Sequence, residues 1–446
     1  MRVAVIGAGI VGVTSAYELA ADGHEVTVFE RRGSVAAETS FANAGIIAPG
    51  YVTPWAAPGM PWHVLRHLFA RHAPVRLNPR LGSGTLRWMW RWWRACGAHS
   101  YKSNRARLQR LAVYSRERLH LLTHALQLDY ERAEGHLVLL RSAQDTARAQ
   151  ASLALLTEMG VRHHLLDPEQ CRQVEPGLNA DAELDAGIHL PQDEVGNCRQ
   201  FALLLREEAE RLGATFRFHT TVQALHPGKM PQVTKVYSPM EESTWVSADA
   251  ARTDGPVTDV LPFEPETEGF DAVVVCAALG ATELLKPHGV KLPLAPVYGY
   301  SVTAPLRRLD AHPDLGPHSA VMDERYKVAI SRLGSRLRVA GSAELGGQPQ
   351  QHNRGALETL YKVLNDWFPG AAHMSQAQVW KGARPMLPDG PPVLGASGMA
   401  GVWLNLGHGS SGWALACGSA RVVADAIGSR TAAIDTEGLG VERLHR

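Results

Sequence analysis

The first thirty residues change their hydrophobic period twice. Residues 2–6 include an unbroken apolar run, Val3, Ala4, Val5 and Ile6, which reads as a strand buried on both faces. Residues 10–21 place small and apolar side chains at helical spacing, and residues 25–29 return to a short apolar run. The pattern predicts a βαβ opening. Further along, 199–212 reads as an amphipathic helix, 215–222 and 272–276 as strands, 402–406 as a strand, and 411–427 as a helix entered through glycine and serine. Between these pieces, 88–126 is helical and basic, 135–141 strand-like and 144–159 helical. Residues 292–302, 327–333 and 336–340 read as strands, and 354–367 as a helix.

The turn between the first strand and helix is Gly7-Ala8-Gly9-Ile10-Val11-Gly12. A strand before it and a helix after it give this spacing its meaning as a dinucleotide fingerprint. Gly7 permits the tight turn, Gly9 lets the backbone approach a pyrophosphate, and Gly12 allows helix and strand to pack closely. The pyrophosphate then sits where free amides and the helix dipole favour negative charge. Glu30, at the end of the second predicted strand, is suited to the ribose hydroxyls. Arg31 and Arg32 leave the cofactor open, because an arginine there can accept a 2′-phosphate, cover an adenine or simply be solvated. The motif alone does not separate FAD from a nicotinamide.

The predicted fold class is α/β: a Rossmann-type nucleotide-binding domain interleaved with an α+β, mixed-sheet substrate-binding domain. The first is expected at 1–60, 188–228, 269–288 and 378–432. The second is expected at 61–187 and 289–377, with basic Trp-rich helices at about 84–126. Residues 229–268, rich in Pro, Glu, Ser, Thr and Asp, read as a partly disordered surface excursion without assigned chemistry.

A chain of 446 residues with 45% hydrophobic side chains has material for two or three domains. Its five cysteines are odd in number and widely spaced, so neither a disulfide framework nor a metal site is expected, and a reducing compartment fits. No signal peptide precedes the first strand and no apolar stretch reaches spanning length. The expectation is a cytoplasmic protein, or one attached to the cytoplasmic face of the inner membrane. The net charge of +1 hides an asymmetry. Residues 39–116 hold twelve Lys and Arg and no Asp or Glu, leaving 33 basic against 44 acidic residues elsewhere. Such a split makes a case for an electrostatic partner of that segment.

Several further motifs follow in order: Glu38-Thr39-Ser40-Phe41-Ala42-Asn43-Ala44-Gly45, Pro49-Gly50-Tyr51, Pro54-Trp55-Ala56-Ala57-Pro58-Gly59 and His72-Ala73-Pro74. Near the far end stand Lys381-Gly382-Ala383-Arg384-Pro385-Met386, Pro388-Asp389-Gly390, and Leu406-Gly407-His408-Gly409 with Gly412-Trp413. Together they closely resemble the small subunit of bacterial D-amino-acid dehydrogenase, in the D-amino-acid-oxidase superfamily of flavoproteins. The resemblance covers nearly the whole chain apart from the 229–268 excursion. It implies non-covalent FAD, oxidation of an amino acid at Cα, and a membrane or quinone electron acceptor.

The resemblance implies that the loop containing Ser40, Asn43, Ala44 and Gly45 contacts FAD, joined by Gly7, Gly9, Ile10, Val11, Gly12, Glu30, Arg31 and Val222. A small, polar loop suits that approach. Gly407, Gly409, Ser410 and Gly412 precede a helix whose amides can face the flavin and stabilise its reduced, negative form. Arg384 occupies the position that, by resemblance, grips the substrate carboxylate. A planar two-pronged donor both binds the carboxylate and aims Cα–H. Tyr298, Tyr300 and Tyr326 are candidates for a second carboxylate donor or a pocket wall. His408 either tunes the flavin or satisfies a backbone group. One departure stands out. The family places a glycine soon after the 272–276 strand, whereas this chain reads Cys276-Ala277-Ala278-Leu279-Gly280, with the glycine displaced.

The expected reaction is hydride transfer from Cα of a D-amino acid such as D-alanine to flavin N5, the imino acid then hydrolysing to a 2-oxo acid and ammonia. No strong base is needed, consistent with the lack of a nucleophile–base constellation in these motifs. The alternatives are another amine (proline, hydroxyproline, sarcosine or glycine), a nicotinamide dehydrogenase, or a non-enzymatic membrane- or partner-binding flavoprotein. Leu86-Arg87-Trp88-Met89-Trp90-Arg91-Trp92-Trp93-Arg94 reads either as part of a surface at 62–116 that docks on anionic lipid, or as a core helix with solvated arginines. Nothing resembles a groove-reading module, so nucleic acid is not an expected partner.

Overall fold

The protein is described by a computed structural model covering residues 1–67, 70–78, 81–238, 263–307 and 315–445. A six-stranded sheet runs in the order Val393–Ala396, Val402–Leu406, Ala272–Val275, Arg2–Ile6, Glu25–Phe29, Thr215–Arg217, parallel except for its first strand. Its two faces follow the two-residue period of the strands. Val3, Val5, Val26, Val28 and Val274 point into a core shared with the helices Ile10–Ala21, Cys198–Arg211 and Gly412–Ile427. Ala4, Ile6, Val273 and Val275 point to the opposite face, against Phe270, Leu284 and Leu285.

Helix Ile10–Ala21 packs between the other two helices, and Gly412–Ile427 also packs on the long helix Ala98–Leu126. Glu18 is fully buried where three of these helices meet. Its carboxylate accepts from Arg118 at 2.6 and 2.8 Å and from Arg421 at 2.8 Å, so no charge there is left unpaired.

The second sheet is larger. Its main path is Gln378–Met386, Ala295–Pro305, Arg336–Leu345, Val328–Leu333, Ala320–Asp323, Ala133–Leu140, Ala186–Val195 and Ile46–Ile47, with two short strands attached. Helix Arg354–Trp367 covers one face through Ala356, Leu360, Val363 and Trp367. The opposite face is the floor of the cavity described below.

Several sequence expectations shift. The strand expected at 215–222 breaks at His219, which adopts φ +52°, and its halves join different sheets. The stretch read as helical at 88–126 is parts of two helices, Ser83–Ala95 and Ala98–Leu126, separated at Cys96 and Gly97, in keeping with the helices expected at about 84–126. Strands Ile46–Ile47, Ala186–Val195 and Gln378–Met386 belong to the large sheet, although sequence grouping placed most of these residues with the nucleotide domain. Gln378–Met386 lacks alternation and contains Pro385. It is an edge strand, where a missing N–H is tolerated. Of the excursion expected at 229–268, residues 239–262 lie outside the described residues. Its ends form Gln232–Tyr237 and Glu266–Gly269, antiparallel strands of a small sheet with Thr220–His226.

Gly12 fixes how closely the first helix meets the first turn, because an added Cβ would lie 1.8 Å from the carbonyl oxygen of Gly7. Gly12→Ala is expected to destabilise the protein by about 3 kcal/mol or more through forced separation of helix and strand. An unchanged thermal unfolding midpoint would refute that contact.

Candidate active site

The nucleotide end of the site is built from the Gly7–Gly12 turn. Gly7 adopts φ +98°, and a Cβ there would sit 2.9 Å from the Cys276 carbonyl oxygen. Gly9 caps the helix without a side-chain partner, and a Cβ on it would meet only the Ser40 hydroxyl at 3.6 Å. The amide of Ile10 donates to that hydroxyl at 3.1 Å, while Val11 packs partly buried beside the first core. Glu30 is partly buried, and its carboxylate accepts from the amides of Ala8 at 2.7 Å and Arg32 at 2.9 Å. Desolvation outweighs those bonds and raises its pKa above the ordinary carboxylate value.

Arg31 and Arg32 both reach the Glu38 carboxylate, at 2.7 and 2.9 Å, so the two guanidiniums that suit a 2′-phosphate already neutralise an acid. Val222 lies on Thr220–His226, packed on the second core. The start of that strand is tied to the nucleotide end by the Thr220 amide, which donates to the Glu30 carbonyl at 2.9 Å. At the displaced glycine, Ala278 itself takes φ +48°, so the tight turn survives without glycine.

The 40–45 loop crosses from this turn to the large sheet and is held by its own carbonyls. Ser301 donates to the Ala42 oxygen at 2.8 Å, Arg338 to Asn43 at 2.9 Å, Ser331 to Ala44 at 2.7 Å, and the Trp413 indole to Gly45 at 3.1 Å. The Asn43 side chain accepts from the Gly45 amide at 3.0 Å. Burial pulls the Arg338 guanidinium down to about 10. Sequence reasoning found this loop but none of the donors outside it except Trp413, which stood in a quoted motif without a role.

A cavity of about 440 Å³ opens where loop, helix and sheet meet. Ile10, Ser40, Asn43, Ala44 and Gly45 line it from one side, and Gly409, Ser410 and Gly412 line it from the entrance of helix Gly412–Ile427. Gly407 and Gly409 adopt φ +80° and +57°, and side chains there would strike Leu387 and Met386. The turn therefore presents backbone to the cavity, with no side chain capping the helix.

Arg384 reaches the same cavity from the edge strand. Its guanidinium lies across Gly299, where an added Cβ would fall 2.3 Å from one of its nitrogens, and it donates to the Ser342 carbonyl at 2.9 Å. No carboxylate faces it among the described residues. Burial alone pulls its pKa down to about 10, which still leaves it cationic at neutral pH. A partly buried cation held by a single carbonyl has hydrogen-bonding capacity left for an anion.

The other sequence candidates separate from Arg384. Pairing of Ala295–Pro305 with Gln378–Met386 puts Tyr298 and Tyr300 opposite Ala383 and Lys381, on the sheet face away from Arg384. There Lys381 stands 4.3 Å from the Tyr298 ring, and the Tyr300 hydroxyl donates to Glu344, which also pairs with Lys381 at 3.1 Å. Tyr300 touches the cavity wall, but its hydroxyl is committed to Glu344. Tyr326 packs against Arg141, Lys362 and His72 and does not line the cavity. His408 is buried, bonded through Nε2 to the Ser419 hydroxyl at 2.9 Å, and outside the lining. Burial holds its pKa down at about 3, so it is neutral and structural in this geometry.

Sequence reasoning missed three participants. Gly299 stood between two tyrosines that drew attention. Tyr51, inside a quoted motif, lines the cavity and bonds Glu324. Ser342 has no sequence signal at all. It adopts φ +57°, and its buried hydroxyl has no partner among the described residues, at the carbonyl that Arg384 grips.

The FAD dependent oxidoreductase family, DAO, matches residues 2–426. The chain belongs to this family. Among its DAO relatives is a D-amino acid dehydrogenase of Cereibacter sphaeroides, 44% identical over 446 residues, covering 99% of this chain and 95% of the relative. Another D-amino acid dehydrogenase, from Rhizobium johnstonii, is 40% identical over 445 residues, covering 99% and 100%. Among solved DAO-like structures, glycine oxidase from Geobacillus kaustophilus superposes with a TM-score of 0.72 at 19% identity, covering 99% of this chain and 98% of that one. L-proline dehydrogenase from P. horikoshii gives 0.69 at 17%, covering 100% and 98%. At such identities the structures establish the fold.

The protein is an FAD-dependent oxidoreductase, and its residues fit the cofactor the DAO family carries. The uncapped start of Ile10–Ala21, the open space over Gly9, the partly buried Glu30 and the backbone-lined Gly409–Gly412 turn form one run from nucleotide end to cavity. Among the described residues, no His, Cys, Asp or Glu cluster could hold a metal ion.

Gly299→Ala should push the guanidinium out of its groove. The expected result is a fall in kcat/KM on the order of tenfold, with flavin content retained, read by steady-state kinetics beside the flavin absorbance. Loss of flavin, or unchanged kinetics, would contradict this placement of Arg384.

Proposed function

We propose that the chain catalyses oxidative deamination of D-amino acids such as D-alanine, giving 2-oxo acids and ammonia. The observation that carries this reading is the partly buried Arg384 guanidinium, without a carboxylate partner among the described residues, in a cavity shared with the Ser40–Gly45 stretch and the Gly409–Gly412 turn. Arg384 binds the substrate carboxylate through two parallel hydrogen bonds and so fixes where Cα–H points. Gly7, Gly9, Ile10, Val11, Gly12, Glu30, Arg31, Ser40, Asn43, Ala44, Gly45, Val222, Gly407, Gly409, Ser410 and Gly412 would hold FAD, which when bound would supply a two-electron acceptor for the Cα hydride. The apolar cavity wall keeps water from the reacting carbon. The imino product hydrolyses after Cα has been oxidised, so no side-chain base has to deprotonate carbon.

The test is anaerobic bleaching of bound flavin by D-alanine and by L-alanine. The D enantiomer should reduce the flavin and the L enantiomer should not. Arg384→Gln should stay yellow while losing roughly a hundredfold or more in kcat/KM. Reduction by L-alanine alone, or by sarcosine and not D-alanine, would overturn the substrate assignment.

The same proposal places the electron acceptor, a quinone or its reductase partner, at the cytoplasmic face of the inner membrane. Helices Met60–His67 and Ser83–Ala95 support it through their outer surface. Trp62, Trp90 and Trp93 are 76%, 52% and 64% exposed, and Arg87, Arg91 and Arg94 lie among them without a carboxylate partner among the described residues. Tryptophan with arginine suits an anionic headgroup layer, each cation adding about 1 kcal/mol. Arg71 and Arg110 of the acid-free segment pair instead with Glu358 and Asp435. Among the described residues no helix is long and apolar enough to cross a membrane. Cosedimentation with anionic phospholipid vesicles should be salt-sensitive and should fall in a Trp90→Ser/Trp93→Ser variant. Equal recovery with neutral vesicles would refute docking by charge.

A further inference from the structure

The large sheet carries a second feature on the face where Arg384 lies. Val297 is the register partner of Arg384, and Val297 is in turn opposite Leu345, so Arg384, Val297 and Leu345 project to the same side. These aliphatic side chains belong to one apolar cluster with Trp88, Ala343 and Met386, against which Trp55, Met89 and Trp92 pack. Trp88 is anchored beside the arginine strand, its indole donating at 3.0 Å to the carbonyl of Met386, two residues beyond Arg384. Trp55, Trp88, Met89 and Trp92 all line the cavity, and the indole N–H of Trp92 is buried without a partner among the described residues. Among the described residues, the formally charged side chains in the lining are Arg384 and Lys327, Lys327 is paired with Glu324, and no Asp or Glu lines the cavity.

From this arrangement we infer that the tryptophan-walled compartment beside Arg384 is the side-chain subsite, and that it selects amino acids with bulky apolar or aromatic side chains while rejecting cationic ones. The inference rests on the reading that Arg384 takes the substrate carboxylate. With the carboxylate fixed there, a side chain of several carbons reaches the tryptophan wall and leaves water, whereas a methyl group leaves most of that wall uncovered. An ammonium or guanidinium side chain would be desolvated with no acid in the lining to meet it, in a cavity already carrying the Arg384 cation. Helix Ser83–Ala95 thus uses one face, through Trp88 and Trp92, to shape the subsite and leaves Trp90 and Trp93 outside.

The test uses the flavin-loaded protein and has two arms. In the first, the desamino acids 3-phenylpropanoate, propanoate and 6-aminohexanoate are titrated against the flavin absorbance. 3-Phenylpropanoate should bind tighter than propanoate by roughly tenfold or more, and 6-aminohexanoate should gain nothing over propanoate. In the second, kcat/KM is compared for D-phenylalanine, D-alanine and D-lysine, with the same order expected. Trp92→Ala should shrink the phenylpropanoate-to-propanoate ratio, and Trp55→Ala serves the same purpose should that variant not fold. Equal affinity for the three acids, or preference for the cationic one, would overturn the subsite even if D-alanine is oxidised. The expected ranking of acids, with no D-amino acid oxidised, would sink the deamination reading and leave the subsite standing.

Discussion

The site depends on a short stretch of chain that belongs to neither sheet for most of its length. Residues 40–45 leave the nucleotide turn, where Ser40 receives the Ile10 amide, and within six residues enter the large sheet at Ile46–Ile47. Four donors from three different strands and one helix grip successive carbonyls on the way. Each bond contributes about 1 kcal/mol net, and somewhat more from the cationic donor. Their larger effect is geometric, since they fix the cofactor turn relative to the sheet that carries Arg384. Without that tie, the cavity would be a gap between two layers free to shift.

The second constraint is electrostatic. A partly buried guanidinium with one carbonyl partner is costly to desolvate, and the structure tolerates it because Gly299 lets it lie flat against the strand and because desolvation does not remove its charge. An anion entering the cavity recovers much of that cost. The same low-dielectric setting that makes the receptor strong excludes a second cation, and so the sign of the cavity and its apolar wall act in one direction. The strained Ser342, whose carbonyl holds the guanidinium, belongs to this arrangement.

The nucleotide half was the more legible from sequence. Its strands obey a clean period, its helix starts at a turn with three spaced glycines, and local rules act within thirty residues of one another. The large sheet was only partly legible. Gln378–Met386 holds glycine, arginine and proline where a central strand would hold branched residues, and only its place at the sheet edge makes that sequence workable. The tyrosines illustrate a different limit. Tyr298 and Tyr300 neighbour Arg384 across a strand pair, yet the pleat sends them to the other face, and register is set by distant partners rather than by the residues themselves. Ser342 and the donors to the loop carbonyls act through contacts between segments up to several hundred residues apart, for which a single sequence holds no sign.

A grip on carbonyl oxygens is indifferent to which amino acids it holds. Residues 42 and 44 offer the same acceptor whatever their side chains, whereas Asn43 also holds the Gly45 amide and Gly45, at φ +77°, has no room for a Cβ. At residues 42 and 44 the loop is open to change in composition while its path stays constant. Descendants of this fold can retune the surroundings of the cofactor by exchanging small residues there, without renegotiating how the two halves of the molecule are joined.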